Sequence, residues 1–137
     1  MTYRELKDRQ QKEFEAFPAF YAFNNEQFEE GKKRLGVVED TELYRGYAGM
    51  FYRKKDADAL HAMMRRFDDE LKEAFKDDKF FYDAVYSELA NHEYCITYED
   101  EETLDALGIT MEELETDKRM GRIYCKARAD YLAETHF

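Results

Sequence analysis

Apolar residues recur every three or four positions along most of this chain, the period of helices that lie on a core. The clearest run is Leu60, Met63, Met64, Phe67, Leu71 and Phe75, which reads as one buried stripe on a long helix capped by Asp56. A second helix is expected over Lys79–Glu93, with Phe81, Val85, Leu89 and His92 on one face. A last one starts at Asp117 and buries Met120, Ile123, Tyr124, Ala127 and Tyr131. At the N-terminus Thr2 and Glu5 have the spacing of a capping box, but the stripe behind them (Leu6, Phe14, Phe17) is thin. That predicts a surface helix, ended by Pro18.

Shorter signals fill the gaps. Ala19–Phe23 is aromatic and strand-like, and Asn24 or Asn25 then caps a helix through Leu35. Gly36 stands where a left-handed residue closes such a helix. Leu43–Arg45 and Met50–Arg53 flank Gly46 and Gly49, the pattern of a hairpin or bulged strand. Tyr94–Tyr98 reads as a third strand. A short helix closed by Gly108 follows, and Thr110 with Glu113 repeats the capping-box spacing. The expectation is α+β: a single domain over residues 1–137, mostly helical with five to six helices, and an antiparallel sheet of two to three strands.

Composition supports an ordered fold. Charged residues make up 39% of the 137, but eleven Phe and eleven Tyr supply enough apolar area to offset chain entropy. One Pro and six Gly leave little room for linkers. No apolar run has membrane-spanning length and the N-terminus lacks a signal-peptide core, so a cytoplasmic protein is expected. Cys95 and Cys125 form no paired motif and are expected as free, buried thiols.

Charge changes the picture most. Residues 80–117 hold 12 Asp and Glu and no Lys or Arg, while the other 99 residues carry 20 acidic and 21 basic side chains. The formal charge of −11 therefore arises in one segment. Such a field repels nucleic acid and anionic membranes and attracts basic surfaces. Nine carboxylates lie between Glu99 and Asp117. On a continuous helix of about 1.5 Å per residue they would be spaced roughly 3 Å apart, close to the ~3.4 Å per charge of a DNA strand. Gly108 breaks the rod into two parts. Helix-dipole bias accounts for Glu101, Glu102, Glu112 and Glu113 at helix starts, but not for 38 residues without a counter-charge.

Other motifs carry less. Glu88 and His92 share a helix face and can ligate a metal together, but a third ligand is needed and the spacing is not that of zinc hydrolases. A hydrogen-bonded structural histidine accounts for the same residues. His61 is the other interior histidine, and His136 falls at a frayed terminus. Thr103–Leu114 has the turn chemistry of a helix-turn-helix, yet its second helix begins Met-Glu-Glu-Leu-Glu, which suits no DNA reader. Aromatics around Phe17–Phe23 and Tyr44–Tyr52 lie near Arg45, Arg53, Lys54 and Lys55, and sheet core accounts for them better than base stacking. No catalytic triad, phosphate loop or cysteine metal motif is present, so no enzyme and no cofactor or metal is expected.

Three strings carry a resemblance: Phe17–Gly31, Glu88–Tyr94 and Thr103–Gly108. Over about Phe14–Leu114 the chain resembles an uncharacterised family of small acidic proteins from phages and mobile elements of Gram-positive bacteria. In composition it is also similar to antirestriction proteins. The resemblance implies inhibition of a host defence protein, of the anti-CRISPR or antirestriction type, by nucleic-acid mimicry. The expected partner is a host protein with a basic, nucleic-acid-binding groove, met by the chain as a monomer or homodimer. The expected partner-binding residues are Glu99, Asp100, Glu101, Glu102, Asp105, Glu112, Glu113 and Glu115. An acidic scaffold of phage biology, or a metal-dependent enzyme built on Glu88 and His92, is the alternative.

Overall fold

A computed structural model describes residues 1–135. The element order is α1 (Tyr3–Glu15), β1 (Ala19–Tyr21), α2 (Asn25–Leu35), β2 (Leu43–Arg45), β3 (Met50–Arg53), α3 (Ala57–Ala74), α4 (Asp78–Asn91), α5 (Tyr94–Thr97), α6 (Glu101–Leu107), α7 (Met111–Thr116) and α8 (Lys118–Thr135). The class is α+β, as the periodicity predicts, with eight α-helices among the described residues rather than five to six. Two compact units divide it. One is Arg9–Phe67 and the other is Met1–Asp8 with the chain from Asp68 onward.

The Arg9–Phe67 unit is built on an antiparallel sheet ordered β1-β3-β2. Phe20 pairs with Phe51, and Tyr44 with Tyr52. Alternation along the central strand β3 sends its side chains to opposite faces. Met50 and Tyr52 join Leu60, Met63 and Phe67 in one cluster, while Phe51 packs with Phe20, Val37 and Leu43 in another. The capping chemistry of α2 is as read, whereas Asp56, expected to cap α3, lies in a 3-10 turn and accepts from Arg53 Nε at 2.7 Å. Asn24 accepts a hydrogen bond from the Gln27 N–H at 2.8 Å, and Gly36 ends α2 at φ 70°. The Val37 and Gly36 N–H groups then donate to Lys32 and Lys33, the paired bonds of a Schellman stop, and Val37 is buried beside it. Met64 departs from its stripe and is 47% exposed, because a helix buries only one side and Met63 already occupies it.

Gly31 is the tight point of this unit. A Cβ there would lie 2.1 Å from the ring of Phe20, which is itself stacked on Phe51 at 5.5 Å. Gly31→Ala gains about 1 kcal/mol of helix propensity, but overpacking costs about 1–3 kcal/mol and prevails at so short a distance. We expect a lower urea midpoint for this variant.

The other unit is helical. Phe81, Ala84, Val85 and Leu89 of α4 are fully buried, and they pack with Leu104, Leu107, Ile109, Leu114, Tyr124, Ala127 and Tyr131. Leu6 and the unforeseen Tyr3 bring the first turn of α1 into the same core, so that turn is not a surface helix. The Tyr94–Tyr98 strand is a correction. No strand occurs in this unit among the described residues, so there is no ladder to join, and the backbone closes on itself as one helical turn. Glu93 (φ 51°) and Tyr98 (φ 56°) bound that turn in the left-handed region. Gly108 closes α6 as expected, at φ 70°, with Ile109 and Gly108 donating to Leu104 and Asp105. Both cysteines are free, but Cys95 is half-buried and Cys125 exposed rather than buried. No helix among the described residues is long and apolar enough to cross a membrane.

Candidate partner-binding surface

Of the formal charge, the Arg9–Phe67 unit holds 11 basic and 10 acidic residues, and the helical unit 10 basic and 22 acidic. The helical unit therefore carries −12 and its companion +1. The acidic segment begins with Glu99, after the α5 turn, and continues through α6 and α7. On α6, Thr103, Leu104 and Leu107 are buried, which leaves Glu101, Glu102 and Asp105 outward. On α7 only Leu114 is buried, and Glu112, Glu113 and Glu115 are exposed. Thr110 fixes the start of α7 by accepting from the Glu113 N–H at 3.1 Å.

The eight expected residues do not behave alike. Glu99, Glu101, Asp105, Glu112, Glu113 and Glu115 are exposed, and among the described residues no Lys, Arg or His lies within salt-bridge distance of any of them. Asp100 differs. It is half-buried, accepts from the Tyr124 hydroxyl at 2.6 Å, and faces Arg128 at 3.3 Å. Its carboxylate pins α8 to the start of α6. Glu102 meets His92 Nδ1 at 3.2 Å. Five of the unit's ten cations pair with other carboxylates: Lys72 with Asp68, Lys76 with Glu73, Lys79 with Asp83, Arg119 with Asp78 and Lys126 with Asp130. Lys72, bound to Asp68, is also near enough to Glu113 to feel its charge.

Beside this surface lies a connected polar chain. Glu88, only 7% exposed, accepts from the Tyr3 hydroxyl at 2.8 Å and from Asn91 at 3.4 Å, and its second oxygen lies 3.2 Å from His92 Nε2. The two imidazole nitrogens face two different carboxylates, Glu88 and Glu102. The ring lies between them, so Glu88 and Glu102 meet different imidazole nitrogens. No group of three His, Cys, Asp or Glu among the described residues is placed to hold a metal. His61 is exposed on α3, and His136 lies outside the described residues. Burial, and then the bond to Glu88, holds the Tyr3 phenol far above its usual range. Burial and Asp100 do the same to Tyr124.

Sequence reasoning missed two apolar neighbours of the acidic run. Ile96 is 71% exposed and Tyr98 65% exposed on the α5 turn, immediately before Glu99. Reading the segment as a strand hid them. Comparison with curated proteins and with solved structures gives no match. A family model described as a family of unknown function (DUF7659) matches residues 2–130, nearly the whole chain, and the chain belongs to that family.

Proposed function

We propose that this chain is a non-enzymatic binding protein that uses the carboxylates of residues 99–115 to occupy the basic, nucleic-acid-binding groove of another protein. The observation that carries the reading is the set of six exposed carboxylates without an ion pair among the described residues. Exposed acids in direct ion pairs lose part of their field to the partner; of these six, Glu113 feels a nearby cation, Lys72, which is itself paired with Asp68. Glu99, Glu101, Asp105, Glu112, Glu113 and Glu115 are the phosphate surrogates, whereas Asp100 and Glu102 hold the surface in shape. Ile96 and Tyr98 give it an apolar border, which suits a protein partner better than a free ion. The resemblance to mobile-element proteins makes a defence nuclease, of the restriction or CRISPR type, the target class, met in the cytoplasm of a bacterial host.

Inhibition assays against a panel of such nucleases test the reading. Inhibition should be competitive with DNA and weaken as salt rises, because the Debye length falls from about 10 Å at 0.1 M to about 3 Å at 1 M. Replacing Glu99, Glu101, Glu112 and Glu113 by Gln should abolish inhibition. It should leave the unfolding midpoint near that of the parent, since relief of like-charge repulsion offsets the loss of helix-start acids at Glu101, Glu112 and Glu113. A nuclease inhibited equally by the fourfold variant would sink the idea.

A further inference from the structure

The Arg9–Phe67 unit carries an open pocket of about 640 Å³ between the start of α2 and the β2–β3 turn. Phe23, Phe28, Tyr47 and Phe51 line it, with Asn24, Asn25 and Arg45 as its side-chain polar groups. None of its lining residues is acidic, in a chain with 32 Asp and Glu. Among the described residues Arg45 has no ion pair or side-chain hydrogen bond. Two of the aromatics are exposed against the usual preference, Phe23 at 77% and Tyr47 at 92%. Sheet core, the expectation for these aromatics, does not describe them. It holds for Phe20, Phe51 and Tyr52.

The walls are held in place. Phe23 donates its N–H to the Gln27 side chain at 2.7 Å, and its ring lies against Gly49, where a Cβ would approach it to 2.7 Å. Gly49 also sits at φ 80°, so the position requires glycine twice over. Ala48 beside it adopts φ 58°, a strained value for a residue with a side chain. Strain of this kind persists only where the surroundings enforce it. The result is an exposed aromatic platform with amide groups and one unpaired cation.

From this geometry we propose that the pocket binds a nucleotide. The base stacks on Phe23 and Tyr47, Asn25 is the amide available to its polar edge, and Arg45 receives the phosphate. The unit that carries the pocket is itself near neutral, with 11 basic and 10 acidic residues. The shared chemistry is a base with its phosphate, supplied either by a free nucleotide or by a single strand.

Proton–nitrogen correlation spectra of the full chain, titrated with adenosine, AMP and a ten-residue oligo-dT, test the proposal. Saturable shifts confined to residues 22–28 and 45–51 are expected with AMP. Tyr47→Ala should weaken AMP binding about five-fold or more, the lower end of a single stacking contact. Its side chain is exposed, so the variant should fold as the parent does. Arg45→Gln should erase the preference for AMP over adenosine while leaving adenosine binding unchanged. Tighter binding of oligo-dT than of AMP assigns the site to single strands, and the reverse assigns it to free nucleotides. Absence of saturable binding by all three ligands up to about 10 mM, where binding free energy is under roughly 3 kcal/mol, overturns the proposal. So does equal binding by Tyr47→Ala.

Discussion

Glu88→Ala should lower the stability of the chain by about 2–4 kcal/mol, since it leaves a buried hydroxyl without an acceptor and removes hydrogen bonds to a carboxylate, each worth about 1–3 kcal/mol. Glu88 is buried on α4 and serves three side chains at once: Tyr3, Asn91 and His92. Removing its carboxylate leaves the Tyr3 hydroxyl buried without an acceptor, and the imidazole facing Glu102 alone. It also opens space beside Val85 and Leu89, which are fully buried. Against a typical total of 5–15 kcal/mol, this is a large share. Glu88→Gln separates the causes. Its amide oxygen still accepts from Tyr3 and its NH₂ can donate to a neutral His92 nitrogen, so the loss should stay near 1–1.5 kcal/mol. Urea denaturation of both variants measures the difference. Equal losses would show that the negative charge, and not the hydrogen-bond geometry, holds the site together.

That network shows where the sequence stops being legible. Glu88 and His92 are four residues apart on a helix, so their contact can be read directly. Their tie to Tyr3 spans 85 residues and has no local signal. The same division runs through the acidic segment. Helix phase indicates that Glu101 and Asp105 point away from Leu104 and Leu107. It cannot reveal that Asp100 is held by Tyr124 and Arg128, which lie 24 and 28 residues further on. Two of the eight expected binding residues therefore have structural partners, and only the fold distinguishes them.

Local chemistry was the dependable guide to element ends. Asn24, Gly36, Gly108 and Thr110 each act at the position their side chain, or lack of one, suits. The misreading of Tyr94–Tyr98 has the opposite origin. Alternating Tyr, Ile and Tyr fits a strand, but a strand exists only beside another, and this unit offers none. Three short helices follow one another over residues 94–116, which raises the helix count above the periodicity estimate. The exposed Phe23 and Tyr47 belong to the same class of miss. Composition alone assigns aromatics to the core, and position on a turn decides otherwise.

Above pH 10 the chain should lose stability steeply, and the loss should trace to identifiable phenols. Tyr3 and Tyr124 are 4% and 2% exposed, and each donates its hydroxyl to a carboxylate. Burial first, and those bonds second, raise both phenols well above their ordinary value. A group whose folded-state pKa is raised contributes stability that is complete below its unfolded pKa and is lost as pH climbs beyond it. The window therefore opens at about pH 10, the unfolded tyrosine value. Each phenol that stays protonated in the fold and ionises on unfolding contributes a slope of about 1.4 kcal/mol per pH unit, so the pair removes roughly 2.7 kcal/mol per unit. Tyr82 and Tyr86 act in the same direction, each pushed up to about 12 chiefly by its bond to Asp130 or Glu134. Urea midpoints should be level from pH 8 to 9.5 and fall sharply between 10 and 11.5. Absorbance at 295 nm should show two phenols ionising only as the chain unfolds. Tyr124→Phe should remove one proton's worth of the slope, about 1.4 kcal/mol per unit, beyond its fixed cost at neutral pH. An unchanged slope in that variant would mean that Tyr124 ionises within the folded chain, and the Asp100–Tyr124 contact that fixes the start of the acidic surface would have to be discarded.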